Sequence, residues 1–198
     1  MITSHLSDAR RWIDVAEPLV TAYVKGRGTA AERARVETGL HDNFHTTDPI
    51  HVARIAANIR ALRTALHGAL EFSCRDPGIC ANPEALAGAP FQLYLPGIDD
   101  SWGSFGGDIG FCTPWFESPL YLVRVSTVLH EVGHAQVGLG AAQDIYEDRD
   151  ASAYSALSPE EAIDNPDSYA AAIRQIYHGD YGPNDLVMPH ETPPGASP

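Results

Sequence analysis

Apolar residues recur at helical spacing near the start and end of the chain and fall into short runs in between. Trp12, Val15, Ala16, Leu19 and Val20 return every three or four positions, which predicts a helix from about Ser7 to Tyr23. Pro18 lies inside it and predicts a kink or an early stop. Gly26-Arg27-Gly28 breaks the pattern, and Thr29 caps a second, weaker helix through Ala30, Ala34 and Val36. Thr47-Asp48-Pro49 is the next helix start. It opens a long amphipathic stretch to about Leu70, with Val52, Ile55, Ala56, Ile59, Leu62 and Leu66 on one face and Arg54, Arg60 and Arg63 on the solvated side. After Gly68 the texture changes. Glu71 to Cys74, Phe91 to Leu95 and Asp108 to Cys112 read as strands of a small antiparallel sheet. The glycine-rich, aromatic run from Trp102 to Gly107 is a loop or hairpin turn suited to flanking a cleft. It lacks the strand–loop–helix setting of a phosphate cradle.

Ser118-Pro119 then starts a helix that is apolar nearly all round, through Leu120, Leu122, Val123, Val125, Val128, Leu129 and Val132. Such a segment belongs in a core, and Gly138 and Gly140 end it. Ser158-Pro159-Glu160-Glu161 is a capping box opening a short helix. Asn165-Pro166 restarts a last one bearing Tyr169, Ala172, Ile173 and Ile176. The expected organisation is N-terminal helices over 1–40, a main domain over 41–178 and a Pro/Gly-rich tail over 179–198. The fold class is α+β and mostly helical. The small antiparallel sheet packs on the helix ending near His134, and a cleft lies between that sheet and the C-terminal helices.

A net charge of −13 argues against nucleic acid or an anionic membrane as a partner. No apolar run approaches a membrane span. Met1 to Arg11 has no apolar segment of the kind a secretory signal carries, so the expectation is a protein that stays inside or is exported or delivered by a signal-less route. The three cysteines, Cys74, Cys80 and Cys112, cannot all pair within one chain.

The candidate chemistry sits inside the buried helix. His130-Glu131-Val132-Gly133-His134 reads H-E-x-x-H, and residues four apart share a helix face, so both imidazoles can reach one ion. Glu131 sits one position round, placed to take a proton from metal-bound water without ligating the metal. Histidines and a glutamate in so apolar a helix need partners, and a metal supplies them. Zn²⁺ suits two or three protein ligands with an open position for water. His41 and His45 are also four apart, but no glutamate follows His41 and a helix start follows His45, which places His45 in a loop.

The third ligand decides the class. Val137 and Gly140 occupy the last two places of the extended H-E-x-x-H-x-x-G-x-x-H pattern, which excludes a third histidine there. Glu160 and Asp164 have the E-x-x-x-D spacing of a glutamate-ligated peptidase, and Asp144 stands just beyond the glycine turn. Asp148 and Asp150 are reserves.

In this order of motifs the chain resembles the deuterolysin-like zinc endopeptidases, the aspzincins, a group that includes the peptidyl-lysine metalloendopeptidases. The matching segments are His130 to His134, Gly140-Ala141-Ala142-Gln143-Asp144 and Asn165-Pro166-Asp167-Ser168-Tyr169. Upstream, Phe44 to Asp48, the long helix after it and the Ile109 to Phe116 stretch are also similar. The resemblance covers roughly residues 41–178. It implies a zincin-like fold in which His130, His134 and Asp144 hold Zn²⁺ and Glu131 is the general base for hydrolysis of a protein or peptide. Tyr146 would assist at the oxyanion, and Asp167 would orient a ligand or shape the substrate pocket. Ala141-Ala142 replaces the family's threonine segment, and the tyrosine stands one place nearer Asp144 than in the family pattern. Near Ala170 the chain lacks the further acidic residue of the lysine-specific relatives. The alternatives are a peptidase using Glu160 as third ligand and a non-catalytic zinc-binding module.

Overall fold

The computed structural model describes residues 2–74, 87–88, 109–111, 121–140, 144–147 and 149–179. Seven helices and three short strands are found among them. The helices are α1 (Ile2–Val24), α2 (Ala30–Phe44), α3 (Pro49–His67), α4 (Tyr121–Val132), α5 (Ala151–Ser155), α6 (Pro159–Asp164) and α7 (Pro166–His178). The strands are β1 (Phe72–Cys74), β2 (Ala87–Gly88) and β3 (Ile109–Phe111). A π-helical turn, Gly133–Val137, continues α4. Among the described residues no helix is long and apolar enough to cross a membrane.

The long helices share one core. Trp12, Ile13 and Val20 of α1 meet Ile55, Ile59 and Leu62 of α3, Val125, Val128 and Leu129 of α4, and Ile173 and Ile176 of α7. All six apolar positions expected to face inward from α3 are buried. The same holds for Tyr169, Ala172, Ile173 and Ile176 of α7. Each large side chain so buried contributes on the order of 1.5–3 kcal/mol, which is why amphipathic spacing placed these helices well.

Several expectations are corrected. α1 begins at Ile2 rather than near Ser7, and Pro18 neither stops nor shortens it. Pro18 is on the exposed side, so the backbone acceptor it leaves without a helical donor can face water. The buried Trp12, Ile13, Ala16 and Val20 hold both halves of the helix to the core, while Val15 lies outside it. α2 runs on to Phe44, because Leu40 and Phe44 are fully buried and extend its apolar stripe. His45 is its left-handed C-cap, at φ 53°.

The sheet is not all antiparallel. Its order is β1-β3-β2, with Phe72 opposite Ile109 in a parallel pair and Ala87 opposite Phe111 in an antiparallel one. A three-residue apolar run reports a strand but not its direction; that is set by the long connection between β1 and β3, within which β2 lies. β2 contacts α4. The strand expected over 91–95, the Ser118-Pro119 helix start, the loop over 102–107, Cys80, Cys112, Asp148 and the tail after Gly179 lie outside the described residues.

Candidate metal centre

α4 brings His130 and Glu131 into the interior, both nearly fully buried at 3% and 4% exposure. At Gly133 the helix widens into the π turn, in which the N–H of Gly138 bonds to the carbonyl of Gly133. Single π turns are frequent at functional sites. Here His134 rides on the turn, yet its Nε2 still lies 3.0 Å from Nε2 of His130. Gly133 also lets α7 start close by: a Cβ at that position would lie 3.0 Å from Cβ of Pro166.

Beyond Gly138 (φ 73°) and Gly140 (φ 80°) the chain returns to the histidines. Oδ2 of Asp144 is 3.1 Å from Nε2 of His134 and 3.8 Å from Nε2 of His130. These three atoms form a group that could hold a metal ion. Tetrahedral zinc, at about 2.0–2.2 Å from nitrogen and oxygen ligands, separates its donors by roughly 3.3–3.5 Å. The observed separations bracket that value. Nδ1 of His134 donates to the carbonyl of Leu139 at 2.9 Å, which turns the Nε2 lone pair inward. Nδ1 of His130 faces Oδ1 of Asp167 at 3.6 Å, so the other ring has a carboxylate on its far side as well. Gly140 packs closely against two of the donor residues. A Cβ on Gly140 would lie 2.4 Å from Cε1 of His134 and 2.9 Å from Oδ1 of Asp144.

The electrostatics favour positive charge where the donors meet. Burial opposes a charge on His130, but the carboxylates of Asp144 and Asp167 outweigh it and push its pKa up to about 10. Burial likewise works against the Asp144 carboxylate, and the two histidines outweigh it, holding its pKa well below the usual carboxylate range. Tyr146 stacks on His130, with centroids 5.1 Å apart and planes 14° from parallel, and the Arg149 guanidinium lies 4.6 Å from the centroid of the Tyr146 ring. Burial, then the nearby Asp144 and Glu131 charges, raise its phenol pKa well above the ordinary value. Tyr146 is therefore a neutral hydroxyl at neutral pH.

Other sequence candidates lie elsewhere. Glu160 is largely exposed and bonds to Nε2 of His51 at 3.0 Å and Nη1 of Arg54 at 2.8 Å, both on α3. Glu161, not Glu160, closes the capping box with Ser158. Asp150 caps α5 by accepting from the N–H of Ala153. His41 is exposed, and His45 reaches the carbonyl of Tyr154 at 3.2 Å.

Sequence reasoning read Asn165 only as a helix start within a family-like segment, and missed both its contact with Ile145 and the pair Glu147–Arg174. The Asn165 amide brackets the backbone of Ile145, donating to its carbonyl at 2.8 Å and accepting from its N–H at 3.4 Å. Two residues on, the N–H of Glu147 donates to Oδ2 of Asp167 at 2.8 Å, and the Glu147 carboxylate pairs with Arg174 of α7. The signals in the sequence were Asn165 and Asp167 standing two apart at the start of a helix and the resemblance of that segment to the family's motif order.

No family model matches the chain, and no curated protein matches it in sequence. Among solved structures the fold is similar to that of a zinc peptidase from Grifola frondosa, with a TM-score of 0.55 over 87% of this chain and 91% of the other, at 15% identity.

Proposed function

We propose that the chain is a zinc-dependent endopeptidase of the aspzincin type, acting on a protein or peptide substrate. The observation that carries this reading is the convergence of His130 Nε2, His134 Nε2 and Asp144 Oδ2, with the buried Glu131 next in sequence to His130. Two imidazole nitrogens and one carboxylate oxygen are a donor set that zinc favours, and hard oxygen-seeking cations do not. The similarity of fold to a zinc peptidase supports the same reading.

In this proposal His130, His134 and Asp144 hold the ion. Zinc, when bound, supplies a Lewis acid that makes water acidic near neutral pH and polarises a carbonyl oxygen. Glu131 accepts the proton of the attacking water, a role that needs a carboxylate close to the ligands but not among them. Tyr146 keeps its proton and is placed against His130 to donate to the developing oxyanion. Asp167 orients the His130 ring through Nδ1. The −13 net charge is consistent with a protein or peptide partner rather than nucleic acid.

The peptidase with Glu160 as third ligand loses its support, since Glu160 is engaged by His51 and Arg54. A non-catalytic zinc module remains the competing class, and it gives no reason to bury Glu131 beside a metal ligand. Digestion of an unfolded protein before and after treatment with a zinc chelator, then with zinc restored, tests the proposal. Cleavage lost and regained is the expected result, and cleavage indifferent to chelator would overturn it.

A further inference from the structure

Over the described residues 144–147 the segment carrying Asp144 alternates in what it meets. Asp144 and Tyr146 turn their side chains to the histidines. Ile145 and Glu147 turn their backbone to the junction of α6 and α7: Ile145 meets the Asn165 amide on both its N–H and its carbonyl, and the Glu147 N–H meets Asp167. Among the described residues this segment pairs with no strand, and side chains of the α6–α7 junction hold its backbone instead. Asn165 is 2% exposed and also donates to Oγ of Ser168, although it makes no side-chain cap for α7. A buried asparagine with its amide spent on another segment's backbone acts at a distance from its own helix.

We infer that Asn165 is a positioning residue for the third metal ligand, holding the Asp144 arm in register against the α6–α7 junction so that Oδ2 meets the two histidines. The inference rests on the zinc-site reading above. The Asn165 side chain bonds to Ile145 and Ser168, so its effect on the donors passes through the Ile145 backbone. Arg174, pairing with Glu147 from inside α7, anchors the far end of the same arm.

The test is a double-mutant cycle on zinc affinity, measured by competition with a chromophoric chelator on Asn165→Ala, Asp144→Ala and the double variant, with circular dichroism and thermal melting of each metal-free protein. Loss of a supporting contact lowers metal affinity by about 10- to 100-fold, so a loss in that range is expected for Asn165→Ala. In the Asp144→Ala background the same change should move affinity by less than about 2-fold, because there is no ligand left to position. A merely structural role would lower the melting temperature in both backgrounds and leave the affinity alone, or weaken binding equally in both. Either result overturns the inference. If Asn165→Ala does not fold, Asn165→Asp carries the same cycle, since its carboxylate keeps the reach to accept from the Ile145 N–H and loses only the donor to the Ile145 carbonyl, and an intermediate affinity is expected. Unchanged affinity in Asn165→Asp beside a weakened Asp144→Ala overturns the inference by itself. Unchanged affinity in Asp144→Ala strikes the zinc-site reading, and the inference with it.

Discussion

The proposed metal donors come from two regions built in opposite ways. His130 and His134 stand on a buried helix and its π turn, where backbone hydrogen bonds run within the segment and the spacing of the pair is local. Asp144 stands on an arm whose next residues, Ile145 and Glu147, are held through their backbone by side chains about twenty positions later, Asn165 and Asp167. A helix presents a pair of side chains whatever lies around it, once it is formed. An arm presents one only after another part of the fold has docked on it. The two regions should therefore fail differently: damage to the helix pair changes chemistry, and damage to the arm changes assembly.

The largest effect separates chemistry from assembly within the helix. Glu131→Gln keeps the side chain's size and removes the base but no ligand, so zinc should remain bound while peptide hydrolysis falls by about 10²- to 10⁴-fold. Elemental analysis beside a peptidase assay checks it. Zinc lost along with activity would make Glu131 a structural or ligating group.

On the arm, Asp144→Ala removes a donor outright and should weaken zinc binding by about 10-fold or more, the scale set by losing even a supporting contact. The two histidines should still face each other, so the variant should retain its helical circular dichroism spectrum. A parent-like zinc affinity would mean that the arm is not part of the centre.

Between the two regions lies Gly140. Its φ of 80° and the space its missing Cβ leaves beside His134 and Asp144 both require glycine. Gly140→Ala should cost at least about 1 kcal/mol in strain at the left-handed position, and should also weaken zinc binding, because the added carbon must displace the His134 ring or the Asp144 carboxylate. Melting of the metal-free protein and zinc competition read the two parts separately. A loss of stability with zinc affinity unchanged would show that the ring and carboxylate can give way without cost to the site.

What was legible in the sequence follows the same division. The faces of α3 and α7 and the H-E-x-x-H pair were readable, because each depends on spacing within one helix. Asp144 was one of two choices until the resemblance to a known motif order weighed for it; nothing in its own neighbourhood marks it as facing the histidines. The π turn was not readable, since glycines at 133 and 138 signal a break as readily as a wider turn. Nor was the parallel pairing of β1 with β3, which depends on the connection between them. Asn165 looked like a helix start, and its larger part is played on a different segment.

The smallest expected effect concerns the glutamate that competed with Asp144. Glu160 is 64% exposed at its side chain and pairs with His51 and Arg54 of α3. An exposed ion pair is worth about 0–1 kcal/mol, since water screens it and two long side chains lose freedom to form it. Glu160 is also not the residue that closes its helix's capping box; Glu161 does that. Glu160→Ala should therefore lower stability by less than about 1 kcal/mol, and less still at high salt. Zinc affinity and peptidase activity should stay at the parent level. Chelator competition on Glu160→Ala beside Asp144→Ala decides between the two candidate ligands in one experiment. Zinc lost from the first and retained by the second would move the third ligand to α6 and leave the Asp144 arm without a function.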